Sequence, residues 1–163
     1  MIDIVSRLER LKDDRGSMAA LRGVLRSPGV MSRHRLIAYT PLNRMGIGLG
    51  DIQAAVVSAL YATHPENCTS GNFGYTCKQI LLERDGTPTE NTPTPVERRF
   101  MILVSSDGWD LYRRIHSMVT MAKSLGIKIN YQELYKDLHW WNDRAKMEWS
   151  SSFWSFTKVE DES

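Results

Sequence analysis

One segment, from Asp51 to Ala62, constrains the fold of this chain more than any other. It reads DIQAAVVSALYA, so a helix formed here would be apolar on nearly every side. Such a helix is stable only when other elements cover it. The segment therefore predicts a central, buried helix around which the rest of the chain packs.

Elsewhere, apolar residues recur at helical spacing, and no run alternates as a half-buried strand does. A second helix is predicted with Ser17 as its cap, with Met18, Leu21 and Leu25 on one face. Further helices are predicted over residues 3–12, 33–39, 76–83, 95–104, 107–125, 131–141 and 142–156, and another short one is predicted between 39 and 45. These patterns predict an all-α fold of about eight helices in two small packed helical lobes.

The polar, proline-punctuated segment 84–95, RDGTPTENTPTP, is predicted to be a linker. It divides the chain into an N-terminal helical lobe with a variable linker, 1–94, and a C-terminal helical lobe, 95–163. The N-terminus lacks the apolar run of a secretory signal, and no stretch has the length of a membrane span. We therefore expect a cytoplasmic protein without a membrane partner, in which Cys68 and Cys77 are free thiols.

The net charge of +2 is unevenly distributed. Residues 1–45 hold nine Lys and Arg against four Asp and Glu, residues 46–97 hold two against six, and residues 98–157 hold nine against six. A fold that brings the first and third regions together could hold a polyanion. The alternative is that these charges occupy ordinary solvated helix faces.

Catalytic chemistry has no recognisable signature in this chain. The histidines lack metal-ligand spacing, and the glycines of 46–50, GIGLG, fit neither dinucleotide nor phosphate-loop patterns, so that segment is interpreted as a connector that lets helices approach closely. Four carboxylates are considered as ligands for a catalytic metal ion, but they are predicted to lie at helix starts and on solvated helix faces. They are Asp107, Asp110, Glu133 and Asp137. We expect no catalytic residue, metal, cofactor or small-molecule substrate.

The C-terminal tryptophans could stack on unpaired bases or fill a core. Trp141 follows the apolar stripe of its helix, and Trp149 and Trp154 recur with Phe153 at helical spacing, so these side chains are predicted to lie in the core. Trp140 falls off the stripe and is the candidate for an exposed or interface ring.

Arginines are the strongest candidates for a binding site, because the planar guanidinium makes bidentate contacts with phosphate. In each of the pairs Arg98–Arg99 and Arg113–Arg114, one member is predicted to point outward while the other borders an apolar stripe. Such side chains can hold a nucleic-acid backbone without sequence preference. The candidates for nucleic-acid binding are Arg22, Arg26, Arg98, Arg99, Arg113, Arg114 and Arg144.

Several motifs occur in a characteristic order. A Gly-Ser-x-x-x-x-Arg helix at 16–22 is followed by ERRF at 97–100, LYRR at 111–114 and a glycine-containing turn that leads to WW at 140–141. In this order the chain resembles the CasB family, the small subunit of the type I-E CRISPR surveillance complex Cascade. The likeness is strong over 97–154, moderate over 13–26 and weak in the middle.

The resemblance implies an all-α fold of two helical lobes and a subunit without enzyme activity. Its implied partners are other Cascade subunits, a second copy of the chain, guide RNA and target DNA. Family members contact the displaced non-target strand and the vicinity of the guide–target duplex through basic residues, and so stabilise the R-loop.

Carried over by motif, the family's basic positions fall on Arg22, Arg99 and Arg114, with Arg144 in the basic region after WW. The early helix of the family often carries consecutive basic residues, whereas here Gly23 follows Arg22, so we expect Arg26 to substitute one turn later. Arg22, Arg99 and Arg114 are predicted to share one continuous positive surface. Competing hypotheses are a free-standing helical DNA-binding regulator and a scaffold without nucleic-acid contact.

Overall fold

The computed structural model describes residues 1–26, 33–48, 50–88 and 91–162, except the side chains of 33–35 and 156–162. Over these ranges the chain forms α-helices, one short 3-10 helix (Gly23–Arg26) and no strand. The α-helices are α1 (Ile4–Glu9), α2 (Arg15–Arg22), α3 (Arg33–Arg44), α4 (Ile52–Thr63), α5 (Phe73–Arg84), α6 (Pro95–Val104), α7 (Gly108–Leu125), α8 (Tyr131–His139) and α9 (Asp143–Glu162). The prediction of an all-α fold is confirmed.

Several predicted helix boundaries were wrong for local reasons. The cap of α2 is Asp14 and not Ser17, because the Asp14 carboxylate accepts hydrogen bonds from both the backbone N–H and the hydroxyl of Ser17. The α5 helix begins before Thr76, because the Asn72 side chain accepts from the backbone N–H of Tyr75. The two short segments expected between 33 and 45 form one helix, α3, which contains Pro41.

The α4 helix is the centre of the fold, as predicted. Every residue from Ala54 to Ala62 is buried, and α1, α2, α7 and α8 pack around the helix. Asp51 caps it through the Ala54 backbone N–H, and the Tyr135 hydroxyl of α8 donates to the other Asp51 oxygen at 2.6 Å. This bond ties the start of the central helix to α8.

Close approach of helices occurs at Gly74 and not at the glycines of 46–50. A methyl group on Gly74 would lie 2.1 Å from the backbone oxygen of Trp149, so α5 and α9 touch backbone to backbone. A methyl group on Gly48 or Gly50 would meet nothing within 4 Å. Gly46 has a φ of 74°, and it therefore serves the turn after α3.

Aromatic side chains of α9 fill the core beside α5, α6 and α8. Trp149 and Phe153 are fully buried, and the Phe153 ring stacks on that of Phe100 with centroids 4.0 Å apart. Trp154 was predicted to lie in the core but is 36% exposed. Trp140 is 62% exposed, as expected for a residue off the helix stripe.

Helices from both sides of the 84–95 segment pack against each other. The central α4 helix contacts α7 and α8, and α5 contacts α6, α7 and α9. The buried apolar side chains of both parts belong to one core cluster. The division into lobes 1–94 and 95–163 stays a prediction.

Two hydrogen-bonded caps position the start of α6. The Asp85 carboxylate, at the end of α5, accepts from the Val96 backbone N–H at 3.0 Å. Thr94 and Glu97 cap each other's backbone N–H in a capping box. The orientation of α6, and of the arginines it carries, is thereby fixed relative to α5.

Cys68 and Cys77 are free thiols, as predicted. In the described part of the chain, no helix is long and apolar enough to cross a bilayer.

Candidate nucleic-acid interface

Three of the predicted arginines line one groove between α6 and α7. This α6–α7 groove has a volume of about 370 Å³ and is lined by Arg99, Asp110, Arg113, Arg114, Ser117 and Met118. The arginines reach it because Phe100 on α6, and Leu111 and Ile115 on α7, turn the apolar stripes into the core. Both helices therefore present their basic borders to the same side.

A second groove, between α2 and α7, adjoins the first. This α2–α7 groove, of about 330 Å³, is lined by Arg22, Leu25, Arg26, Thr63, Arg113, His116 and Thr120. Arg113 lines both grooves, so together they form one continuous surface, which we call the arginine surface. The geometry thus brings together Arg22, Arg26, Arg99, Arg113 and Arg114.

Arg22 is held in place by the end of the central helix. Its Nη1 donates to the backbone oxygen of Ala62 at 2.9 Å, where the carbonyl end of a helix attracts positive charge. Gly23 is buried, so the position after Arg22 does not reach the surface, and Arg26 from the 3-10 helix lines the same groove as Arg22. This placement agrees with Arg26 substituting for the missing adjacent basic residue.

Arg99 lies beside an arginine that the sequence analysis missed. The guanidinium groups of Arg99 and Arg84 both contact the sulfur of Met121, through Nη1 in each case. Arg84 ends α5, within the acidic middle of the sequence, and no motif or helical spacing links it to Arg99. Only the packing of α5 against α7 reveals that it extends the positive charge.

One carboxylate sits within the arginine surface. Asp110 accepts from Arg114 Nε at 3.1 Å, and hydrogen bonds from Arg114 and Ser106 lower the pKa of Asp110. Both side chains are substantially exposed, at 40% for Arg114 and 61% for Asp110, so solvent screens the pair and it is weak. Arg114 therefore stays available to an anionic ligand.

The surface is strongly positive. Five arginines and one carboxylate line the two grooves, which gives a formal charge of +4. Burial lowers the pKa of His116 below its usual value, so this imidazole is neutral near pH 7 and adds no charge. An arrangement of this kind suits a chain of phosphates.

Two predicted site residues lie elsewhere. Arg98 is exposed on α6 but lines neither groove. Arg144 lines a separate concavity with Lys136 and Trp140, and its Nε pairs with Glu148 at 3.1 Å. The structure therefore does not bring Arg144 to the arginine surface.

The carboxylates weighed for catalysis do not converge. Asp107 pairs with Lys146, Asp110 with Arg114, and Glu133 with Lys136. Asp137 was predicted to be solvated, but it is buried and accepts from Trp149 Nε1 at 2.8 Å. Across the described residues, no group of three His, Cys, Asp or Glu side chains could hold a metal ion.

Comparisons place this all-α arrangement among solved structures. CasB from M. ruber is 23% identical, with a TM-score of 0.70, and the match covers 96% of this chain and 94% of that one. CasB from Thermus thermophilus is 18% identical, with a TM-score of 0.70 and coverage of 93% and 96%. A chain of a CRISPR RNA-guided surveillance complex is 18% identical, with a TM-score of 0.72 and coverage of 98% and 94%. At these identities, the likeness shows a shared fold.

The family follows from the sequence itself. The family model for CRISPR-associated protein Cse2 matches residues 17–154. The chain belongs to this family, and the resemblance to CasB drawn from its motifs is confirmed. No curated protein sequence is significantly similar to the chain.

Proposed function

We propose that this protein is a non-catalytic small subunit of a type I-E CRISPR surveillance complex, and that its arginine surface binds nucleic acid in antiviral defence. The displaced non-target strand and the region of the guide–target duplex are the ligands, and binding them stabilises the R-loop. Membership of the Cse2 family and a fold shared with a chain of a surveillance complex support this role. The partners are then other Cascade subunits, a second copy of the chain, guide RNA and target DNA, in the cytoplasm.

The observation that carries the proposal is the continuity of the arginine surface. Arg113 joins two grooves, whose lining residues lie between Arg22 and Thr120 and come from α2, the 3-10 helix, α4, α6 and α7. Arginines contribute phosphate contacts that position a strand without reading its bases. A subunit that must hold any target sequence needs contacts of this kind.

Charge reversal tests the surface. Arg99→Glu and Arg113→Glu should each weaken R-loop formation by the assembled complex about tenfold, because each substitution replaces a phosphate contact by repulsion. Lys128→Glu is the matched control, since Lys128 is exposed in the α7–α8 connection and lines neither groove. Circular dichroism and incorporation into the complex verify folding. If both groove variants are folded and incorporated but match the control in affinity, the arginine surface is not the binding site.

Salt dependence separates the proposal from the alternatives. Binding through phosphates predicts that affinity for single-stranded DNA falls steeply with salt, with a slope of roughly −0.7 per contact. A scaffold would show no such binding. A sequence-specific footprint on duplex DNA would instead support a DNA-binding regulator.

The absence of catalysis is tested directly. The purified protein, incubated with single- and double-stranded DNA and RNA in magnesium or manganese, should leave them intact, because metal-assisted cleavage needs clustered ligands for the ion. Cleavage that co-purifies with the protein and is lost on substitution of Asp107, Asp110, Glu133 or Asp137 would contradict the proposal.

A further inference from the structure

A second cluster of arginines lies away from the arginine surface. Arg7 and Arg10 of the α1 region and Arg44 at the end of α3 line one concavity of about 380 Å³, together with Leu11, Met45 and Gly46. We infer that this concavity, the Arg7–Arg10–Arg44 site, binds a backbone phosphate of nucleic acid. The inference rests on the proposed function and adds a contact point to it.

The three guanidinium groups have no carboxylate partner among the described residues. No ion pair within 4.0 Å involves any of them. Glu9, which lies between two of them in sequence, lines a different concavity. Three like charges that line one concavity without an ion-paired carboxylate repel one another, and a bound anion relieves this repulsion.

Asp14, whose pKa is influenced by Arg44, is already hydrogen-bonded to Ser17. Its pKa is lowered chiefly by hydrogen bonds from the Ser17 backbone and hydroxyl, with a smaller effect from the charge of Arg44. The two Asp14 oxygens accept from Ser17 at 3.1 and 2.9 Å, as the cap of α2. Asp14 is therefore ionised and offsets part of the Arg44 charge, but it does not line the concavity, which keeps a net positive charge.

The negative end of the α3 helix dipole balances part of the positive charge of the cluster, but not all of it. Arg7 Nη1 donates to the backbone oxygen of Met45 at 2.7 Å, just beyond the last turn of α3. A helix end carries roughly half a negative charge, against three positive ones, so most of the charge remains unbalanced. That hydrogen bond also fixes the Arg7 guanidinium, which leaves its other N–H groups for a ligand.

The position of the site favours a nucleic-acid strand as the ligand over an acidic protein segment. The α2 helix begins at its cap, Asp14, near Arg44, and it ends at Arg22 of the arginine surface. Eight helical residues span about 12 Å, so one strand could reach both places.

Binding of a labelled single-stranded oligonucleotide, measured by fluorescence anisotropy over a salt series, tests the site. Arg10→Glu and Arg44→Glu are used because both side chains are exposed, whereas Arg7 also supports the turn after α3. Each variant should bind about fivefold more weakly than wild type, with a salt slope reduced by roughly 0.7. Lys128→Glu makes the same charge change and should have a small effect.

The inference and the proposed function fail separately. If Arg10→Glu and Arg44→Glu match Lys128→Glu while Arg99→Glu and Arg113→Glu weaken binding, the second site is refuted and the arginine surface stands. If neither pair weakens binding, both ideas are refuted. Loss of incorporation into the assembled complex with unchanged oligonucleotide affinity would mean that the site docks an acidic protein surface, and would overturn the assignment to phosphate.

Discussion

Gly74→Ala should destabilise the protein, although alanine is the better helix former. The new methyl group would lie 2.1 Å from the backbone oxygen of Trp149 and 2.7 Å from its carbonyl carbon and Cα. Ordinary contact begins near 3.4 Å, so α5 and α9 must separate by roughly 1.3 Å. Backbone atoms cannot rotate away as a flexible side chain can.

The size of the effect follows from what this separation loosens. Gly74 neighbours Phe73, whose ring lies 5.4 Å from that of Trp149, and a gap of 0.5–1 Å already forfeits about a quarter to a half of each dispersion contact. We expect a loss of about 3 kcal/mol, at the upper end of overpacking. Helix propensity alone would give a gain of about 1 kcal/mol, so the sign of the change distinguishes the two effects.

Urea unfolding followed by circular dichroism measures the change, and an unchanged m-value indicates that stability itself has changed. The melting temperature should fall by about 6–12 °C for a chain of this size. Gly16→Ala is the matched control, because a methyl group there meets only the Asp14 side chain, at 3.5 Å. A Gly74→Ala protein as stable as wild type, or more so, would refute the argument.

Three further predictions concern buried polar and aromatic groups. Burial raises the pKa of Asp137 to about 6, so the folded state holds this proton more tightly than the unfolded state, and the contribution of Asp137 to stability falls as the pH rises from about 4 to 6. The Asp137→Asn protein keeps an acceptor for Trp149, so its free energy of unfolding should match that of wild type at pH 4. At pH 7 it should exceed the wild-type value by about 1–2 kcal/mol, with allowance for partial solvent screening. An equal difference at both pH values would contradict this. Tyr135→Phe removes a donor to the Asp51 carboxylate and should cost about 2 kcal/mol in urea unfolding, whereas no loss would show that the bond is not formed in solution. Trp149→Ala should lower the free energy of unfolding by about 3–5 kcal/mol and Trp140→Ala by less than about 0.5, since the first ring is fully buried and the second is 62% exposed. Similar losses for the two variants would contradict the burial of Trp149 and the exposure of Trp140.

Helix content was predictable because its signals are local. The run 51–62 is apolar on nearly every side, and the caps at Asp51, Asn130 and Asn142 lie within three residues of the N–H groups they accept from. The start of α2 was predicted wrongly because Asp14, three residues before Ser17, competes with Ser17 for the capping position. Such competition is decided by backbone geometry that sequence spacing does not specify.

Several arginines of the candidate site could be proposed from the sequence, but their grouping could not. Helical phase placed Arg99 and Arg114 beside apolar stripes, and the family motifs added Arg22. Nothing in the sequence separated Arg144 from them or brought in Arg84, which reaches Met121 because α5 packs against α7. The likewise unforeseen Arg7–Arg10–Arg44 site also joins helices that are separated in sequence.

The sequence by itself thus determined that this protein is all-α, that α4 lies at its centre and that the chain belongs to its family, since periodicity, capping and motif order are written along the chain. Tertiary structure alone decided which arginines share a surface, which glycine admits a close helix contact and that Asp137 is buried. Each of these depends on how separate helices meet, and their meeting is set by the packing of the whole core.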